Sequence, residues 1–201
     1  MNLLDLAKQV LTNEVVGKLN NQMPQVPQQN TQTAANLVMS TLMGALAKNT
    51  QSDQGLEGLL GALNKNHNGG LMDNLGDFLG GKMASDKSTD GMGILSHLFG
   101  GKIFDVVELI SKGSGIDRNN SMGLLMKLAP VALSMLGKVK QQNNYQGNDL
   151  RALLQNTVQQ ERQQKPETSL IEKLLDKDGD GSIKGEVMQM GMKALGSFFS
   201  R

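Results

Sequence analysis

Two stretches of the chain, residues 3–63 and residues 94–154, place apolar side chains at helical spacing and in the same order. Apolar residues at i, i+3, i+4 and i+7 form one face of an α-helix. The pattern predicts an all-α fold of tandem pseudo-repeated short-helix units, with chance alignment of two Leu-rich helix series as the alternative. Matching positions keep similar offsets: 91 residues from Val16 to Val107, 90 from Leu42 to Ala132 and 94 from Leu56 to Leu150.

Prolines and glycines indicate where several of these helices begin and end. Pro24 and Pro27, set among Gln and Asn, predict an extended connector, with helix resuming at Thr33. The phrases at 71–82 and 94–102 both run from adjacent apolar residues into Gly-Gly-Lys. We interpret them as helix stops, because a phosphate-binding loop needs a preceding strand and a Gly-Lys-Ser/Thr ending.

Three further local predictions concern the segments between helices. Gly113 and Gly115 are expected to stop the helix that precedes them, since glycine adopts the left-handed backbone that often ends a helix. Asp117 or Asn119 is expected to cap the next helix. Residues 64–70 are rich in Asn and Gly and predict a loop, with His67 in solvent.

Composition excludes several kinds of site. The chain has no Cys, so disulfides, thiolate metal sites and cysteine nucleophiles are absent. Only 3% of the residues are aromatic and none is Trp, which predicts an aliphatic core without stacking platforms for bases. The formal charge is +1, so no strong field attracts polyanions and no nucleic-acid partner is expected.

The N-terminal residues do not have the pattern of a secretory leader, since Asp5 and Lys8 interrupt their apolar stretch. No uninterrupted run reaches the 18 to 20 apolar residues of a membrane span. We therefore expect a cytoplasmic protein.

Catalytic arrangements are also missing from the sequence. His97 is a lone histidine in an apolar phrase, which is more typical of a packing or surface residue than of a metal ligand. The segment Lys112-Gly113-Ser114-Gly115 approaches a nucleophile-elbow phrase but has no preceding strand. The sequence therefore predicts a protein that is not an enzyme, and no small-molecule substrate is identified.

One phrase of the second unit resembles a known family. It comprises Gly-Ile-Leu-Ser-His-Leu-Phe-Gly-Gly at 93–101, Ile116-Asp117, and Leu-Ala-Pro-Val-Ala-Leu-Ser-Met-Leu-Gly-Lys at 128–138. Over roughly residues 35–140 the chain resembles bacterial domain of unknown function family 937, to which YidB-like proteins belong. The resemblance implies an all-helical bacterial protein of no established activity, often ending in an Asp-rich loop and a Gly-interrupted apolar helix. It supplies no catalytic residues.

A loop near the C-terminus carries the one specific chemical signal. Residues 176–181 read Asp-Lys-Asp-Gly-Asp-Gly between two apolar segments, which resembles the calcium loop of an EF-hand. Such a loop offers carboxylates at positions 1, 3 and 5, a Gly at 6 and a backbone carbonyl at 7. The candidate ligands of a Ca²⁺ ion are therefore Asp176, Asp178, Asp180, the Ser182 carbonyl and Glu186.

The later positions of this loop depart from the EF-hand pattern. Position 9 is Lys184, and position 12, normally a bidentate Glu, is Val187, while Glu186 stands one residue early. We therefore expect weak affinity for Ca²⁺. The alternative is an Asp/Gly turn whose side chains cap backbone donors without a metal.

The sequence thus predicts a duplicated helical domain at 1–165 and an EF-hand-like loop with an amphipathic tail helix at 166–201. The short helices at 71–79 and 94–99 and the Met- and Phe-rich tail present more apolar surface than a small domain is expected to cover. We predict a structural or interaction protein that self-associates as a homo-oligomer. The alternatives are a calcium-responsive binding module and a protein associated with a membrane surface.

Overall fold

The computed structural model describes residues 3–83 and 86–164, and this part of the chain contains α-helices, one short 3₁₀ helix and no β-strand. The predicted all-α fold is confirmed. The predicted calcium loop and tail, residues 166–201, lie outside the described residues. The helices are α1 Leu3–Val10, α2 Asn13–Asn20, α3 Gln28–Asn49, α4 Asp53–Lys65, α5 Gly70–Asp73, α6 Leu75–Leu79, α7 Gly91–Phe99, α8 Ile103–Ser114, α9 Arg118–Asn143 and α10 Gly147–Gln164, with the 3₁₀ helix at Gly100–Lys102.

Four helices in the described part of the chain begin at a side-chain cap. A capping oxygen satisfies a backbone N–H group that the first turn leaves unpaired, which typically contributes about 1 kcal/mol to stability. Of the two residues predicted to cap α9, Asp117 and Asn119, Asp117 is the cap. Each side-chain oxygen accepts from the N–H group three residues later: Thr12 from Val15 at 3.3 Å, Ser52 from Gly55 at 3.0 Å, Asp90 from Gly93 at 2.9 Å and Asp117 from Asn120 at 3.0 Å.

Glycines with a left-handed backbone follow three helices. Gly81, Gly100 and Gly115 have φ values of 72°, 54° and 71°, a region that side chains with a Cβ rarely adopt. These helix stops were predicted and are confirmed. Gly113, by contrast, lies inside α8, which continues to Ser114, so the predicted stop at Gly113 was wrong.

The start of α3 also differs from the prediction. The helix begins at Gln28, directly after Pro27, and not at Thr33. Pro27 has φ −58°, which suits entry into a helix. The Thr31 hydroxyl is buried and donates to the Asn20 side chain of α2. This contact lies between two helices and therefore does not appear in the local composition.

The core is centred on α3 and α9, which pack against each other and together contact most of the other helices. Their facing side chains are aliphatic, as the composition predicts. Burying a large aliphatic side chain contributes roughly 1.5–3 kcal/mol, so this crossing supplies much of the stability. The most deeply buried residues here include Leu42, Leu46, Leu125, Leu128 and Leu136, each no more than 1% exposed.

One helix in the described part of the chain, α9, is long and apolar enough to cross a membrane by length and composition. This differs from the expectation that no such segment exists. Of its apolar window, 72% is buried inside the protein. A largely buried central helix passes the same test, so the finding is weak evidence for a membrane span.

Eight of the helices form two successive sets of four, α1–α4 and α7–α10. Two pairings within the first set recur within the second, and a third pairing is reciprocal between the two sets. Helix α1 packs on α3 as α7 packs on α9, α2 packs on α3 as α8 packs on α9, and α10 contacts α3 as α4 contacts α9. Shared order and pairing do not by themselves establish a common origin, so the duplication remains a prediction.

Helix α10 is fixed to the first set by polar contacts. It packs on α1, α3 and α4. Its buried Thr157 hydroxyl accepts from a backbone N–H group near the start of the chain. Three hydrogen bonds hold α10 in place: Leu3 N donates to Thr157 Oγ1 at 3.5 Å, Arg151 Nε donates to the Thr50 carbonyl at 2.7 Å, and the Ser40 hydroxyl donates to the Glu161 carboxylate. They place the end of α10 beside α1 and α3.

His67 is buried and not in solvent, so that prediction was wrong. His67 is 3% exposed, and its Nδ1 atom has no hydrogen-bond partner among the residues that the structure describes. The loop after α4 crosses α9 so closely that a Cβ on Gly137 would lie 1.8 Å from the His67 carbonyl oxygen. Burial lowers the pKa of the His67 imidazole below its ordinary value of 6.5, and the charge of Asp86 partly opposes this effect.

We expect the protein to lose stability as the pH falls below about 6.5. Unfolded His67 takes up a proton near its ordinary pKa of 6.5, whereas the buried imidazole resists protonation, so acid favours the unfolded state. Above that pH the residue is neutral in both states and contributes no pH dependence. Urea unfolding across this pH range measures the effect. The pH dependence should flatten in His67→Gln and persist in His97→Gln, and an unchanged dependence in His67→Gln would contradict the account.

Candidate interaction surface

Three large apolar side chains in the described residues are exposed to solvent. Phe104 is 76% exposed, Met92 43% and Met126 36%. They lie on α8, α7 and α9, and these three helices contact one another. We call Met92, Phe104 and Met126 the exposed apolar surface.

Met92 and Met126 are brought together by the close approach of α7 to α9. A Cβ on Gly91 would lie 1.8 Å from the Met126 carbonyl oxygen, so only glycine fits at this crossing. Gly91 is itself buried, and Met92 follows it directly on the first turn of α7. Two thioether side chains, which are flexible and polarizable, therefore stand at the same helix crossing.

Phe104 is exposed because of its position around α8. The inward face of this helix is formed by Val106, Val107 and Ile110, all buried, with Ile103 partly buried beside them. At 3.6 residues per turn, Phe104 lies roughly 110° around the helix from the centre of that face. Phe104 was not among the residues predicted to be at the surface, although this displacement from the apolar face was a signal available in the sequence.

A charged cluster lies beside Phe104. Glu108 follows Phe104 by four residues on α8, which places both on neighbouring turns of one side. Hydrogen bonds from Arg118 and then from Lys112 lower the pKa of the Glu108 carboxyl to about 2. The Lys112 Nζ atom lies 3.0 Å from Glu108 Oε1. Apolar side chains bordered by charged groups resemble the core and rim of protein interfaces.

The short glycine-stopped helices do not provide the apolar surface that was predicted for them. Leu71 and Leu79 are 6% and 0% exposed, and Leu95 and Phe99 are 0% and 6% exposed. Their apolar faces pack into the core because α5 and α7 lie against α9 and α6 against α2. That part of the prediction was wrong. Among the described residues, the exposed large apolar side chains are those of Met92 on α7, Phe104 on α8 and Met126 on α9.

A cleft between α2 and the α5–α6 segment shows no distinct chemistry. Asp73 pairs with Lys138 at 2.8 Å, and Lys18 pairs with Glu14 at 2.9 Å. Opposite charges at short range largely cancel, so the cleft has no strong field to attract an ion of either sign. Its charged lining residues are Lys18, Asp73, Asp77 and Lys82.

The candidate metal ligands are not placed by the structure. Asp176, Asp178, Asp180, Ser182 and Glu186 lie outside the described residues. Within residues 3–83 and 86–164, no group of three or more His, Cys, Asp or Glu side chains is arranged to hold a metal ion. The second histidine, at position 97, is exposed on α7.

Comparison with known proteins gives one match. A family model described as a bacterial protein of unknown function, DUF937, matches residues 5–139, which run from α1 to the last turns of α9. No curated protein and no solved structure matches the chain. The match covers more than half of the 201 residues and both sets of helices except α10. The chain therefore belongs to the DUF937 family of bacterial proteins of unknown function.

Proposed function

We propose that the protein is a non-enzymatic structural or interaction protein that self-associates through the exposed apolar surface. The observation that carries the proposal is Phe104, which is 76% exposed on α8. Water contact with an aromatic ring is unfavourable, and burying one stabilises a contact by roughly 1.5–3 kcal/mol. The cytoplasmic location and the YidB-like subgroup expected from the sequence are part of the same proposal.

The arrangement around Phe104 supports a protein partner. Aromatic residues and Met are enriched at interface cores, and charged groups are more frequent at the rim. Met92 and Met126 supply adaptable side chains near one helix crossing, and the Glu108 cluster provides a polar border. A second copy of the chain is the simplest such partner, because most soluble oligomers are homo-oligomers.

Phe104→Ser is expected to weaken self-association by about tenfold or more, since losing one buried aromatic ring removes at least about 1.4 kcal/mol from a contact. Size-exclusion chromatography with light scattering measures the mass at matched concentrations. Gln142→Ser is the control, because it removes an exposed side chain roughly 24 Å from Met126 along α9. Equal association of the wild type and Phe104→Ser would contradict the role of this surface.

A second proposal concerns calcium, and the Asp-Lys-Asp-Gly-Asp-Gly sequence at 176–181 favours it. We propose that Asp176, Asp178, Asp180 and the Ser182 carbonyl bind one Ca²⁺ ion and that Glu186 supplies a late carboxylate. Calcium prefers six to eight oxygen ligands, and the first half of this loop offers them at the EF-hand spacing. The ion would act as a local staple or as the trigger of a binding module.

Calorimetry at millimolar calcium tests this second proposal. Asp178→Ala should abolish the binding heat, because it removes a central carboxylate of the loop. Glu172→Gln, which removes a carboxylate outside the loop, should leave it unchanged. Val187→Glu should tighten binding by about tenfold or more, since it restores the bidentate ligand at position 12. Absence of heat in both the wild type and Val187→Glu would leave the segment as a turn without metal.

A further inference from the structure

Two of the three side chains of the exposed apolar surface are methionines, Met92 and Met126. We infer that a peroxide oxidises these two thioethers to sulfoxides ahead of the other methionines of the described residues, and that this modification weakens self-association. Because there must be association to weaken, the inference rests on the proposed function and names how that same surface is regulated. The modification itself does not depend on what covers the surface.

Exposure separates these two residues from the other methionines that the structure describes. Met92 is 43% exposed and Met126 is 36% exposed. A peroxide dissolved in water has to reach the sulfur atom, so oxidation follows exposure. We therefore expect Met92 and Met126 to react first. The methionines that are buried or partly buried are Met23, Met39, Met43, Met72, Met83, Met122 and Met135.

No thiol competes with the thioethers for the oxidant, because the chain contains no Cys. Thiols and thioethers are the side chains that peroxides oxidise most readily. In the reaction, the methionine sulfur attacks one oxygen of hydrogen peroxide, the O–O bond breaks, and the other oxygen leaves as water. The sulfur loses two electrons and the peroxide gains them, so the net charge of the chain does not change.

Both sulfoxides form at the crossing of α7 and α9. Met92 directly follows Gly91, where a Cβ would lie 1.8 Å from the Met126 carbonyl oxygen. Oxidation turns a flexible apolar side chain into a polar one, and covering a polar oxygen without a hydrogen-bond donor is unfavourable. A contact that buries these positions should therefore weaken by about tenfold or more.

The fold of the single chain should tolerate the modification. Both side chains already contact water, so an added oxygen on the sulfur stays hydrated and leaves the core between α3 and α9 unchanged. Oxidation of Met39 or Met43, each no more than 1% exposed, would instead place a polar group in the packed interior. Methionine sulfoxide reductases return the sulfoxide to the thioether, which makes the change reversible.

Three variants of the 201-residue chain test the inference beside the wild type. The Leu variant, Met92→Leu with Met126→Leu, keeps the apolar volume and removes both reactive sulfurs. The Gln variant, Met92→Gln with Met126→Gln, makes the same positions polar without any oxidant. Met122→Leu, on α9 one turn before Met126, removes a partly buried sulfur and is the matched control. Peptide mass spectrometry after limited treatment of dilute protein with hydrogen peroxide locates the sulfoxides, and light scattering at matched higher concentrations measures association.

We expect sulfoxide at Met92 and Met126 before any at the other described methionines. Association of the treated wild type and of treated Met122→Leu should weaken by about tenfold or more and recover after reductase treatment. The Gln variant should associate as weakly without peroxide, and the Leu variant should associate equally before and after it. The thermal unfolding transition of the treated wild type should remain.

Faster oxidation of a buried methionine than of Met92 and Met126 would overturn the inference and leave self-association standing. So would an equal loss of association in the treated Leu variant, because other sulfurs would then be responsible, or loss of the thermal unfolding transition on treatment. A wild type that is monomeric before treatment would instead overturn the proposed function, and the peptide map would still decide which sulfurs react.

Discussion

Gly137→Ala is expected to destabilise the folded protein by about 3 kcal/mol, the upper part of the range for overpacking a close contact. A Cβ at this position would lie 1.8 Å from the His67 carbonyl oxygen and 2.9 Å from the adjoining carbonyl carbon. Both atoms belong to the backbone, so no side-chain rotation relieves the clash. The loop after α4 would have to move off α9 and expose the buried His67.

Gly123→Ala provides the matched control on the same helix. Nothing lies within 4 Å of a Cβ built at Gly123, and the residue is inside α9. Alanine is favoured over glycine in a helix by about 0.5–1 kcal/mol, so this change should be stabilising. Urea unfolding of both variants measures the two effects. Similar stabilities for Gly137→Ala and Gly123→Ala would show that the loop does not lie against α9.

Leu125→Ala is expected to cost about 2–5 kcal/mol, the range for removing a large aliphatic side chain from a packed core. Leu125 is 0% exposed on α9, which packs against α3. The loss combines the hydrophobic contribution of the removed atoms with the cavity left between helices that cannot fully close. Chemical denaturation measures the change in the free energy of unfolding.

The neighbouring residue on the same helix supplies the comparison. Met126 is 36% exposed, and Met126→Ala should change the free energy of unfolding by less than about 1 kcal/mol. The two substitutions remove similar volumes one residue apart, so they separate burial from helix propensity. A small effect of Leu125→Ala, or a larger effect of Met126→Ala, would mean that α9 is rotated about its axis so that Met126 and not Leu125 faces the core.

Much of the helical architecture was predictable because local patterns determine it. The apolar spacing indicated the all-α fold, and the stops at Gly81, Gly100 and Gly115 followed from the need for a left-handed residue after a helix. The cap at Asp117 followed from side-chain chemistry. Each of these features depends on residues a few positions apart, which a single sequence displays.

The features that were missed depend on contacts between distant residues. The sequence around His67 predicts an exposed loop, but the close approach of its backbone to Gly137 buries the residue. The contact of Thr31 in α3 with Asn20 joins two helices, although the start of α3 itself was indicated locally by Pro27. The burial of Leu71 and Leu95 depends on helices that pack over them. Composition near each residue carries no information about such partners.

The candidate interaction surface was predictable only in part. The sequence indicated excess apolar surface, but it assigned that surface to the short helices, which are buried, and to the tail. Phe104 was the residue to notice, because it falls outside the apolar face of α8. The proximity of Met92 and Met126 could be seen only in the structure, because the close approach of Gly91 to α9 brings them together.

Sedimentation equilibrium of the wild-type chain of 201 residues measures self-association without any substitution. We expect an average mass that rises above the 21.6 kDa of one chain as the concentration increases from micromolar to millimolar, because the exposed apolar surface becomes covered by neighbouring copies. A single species of 21.6 kDa at every concentration would contradict it.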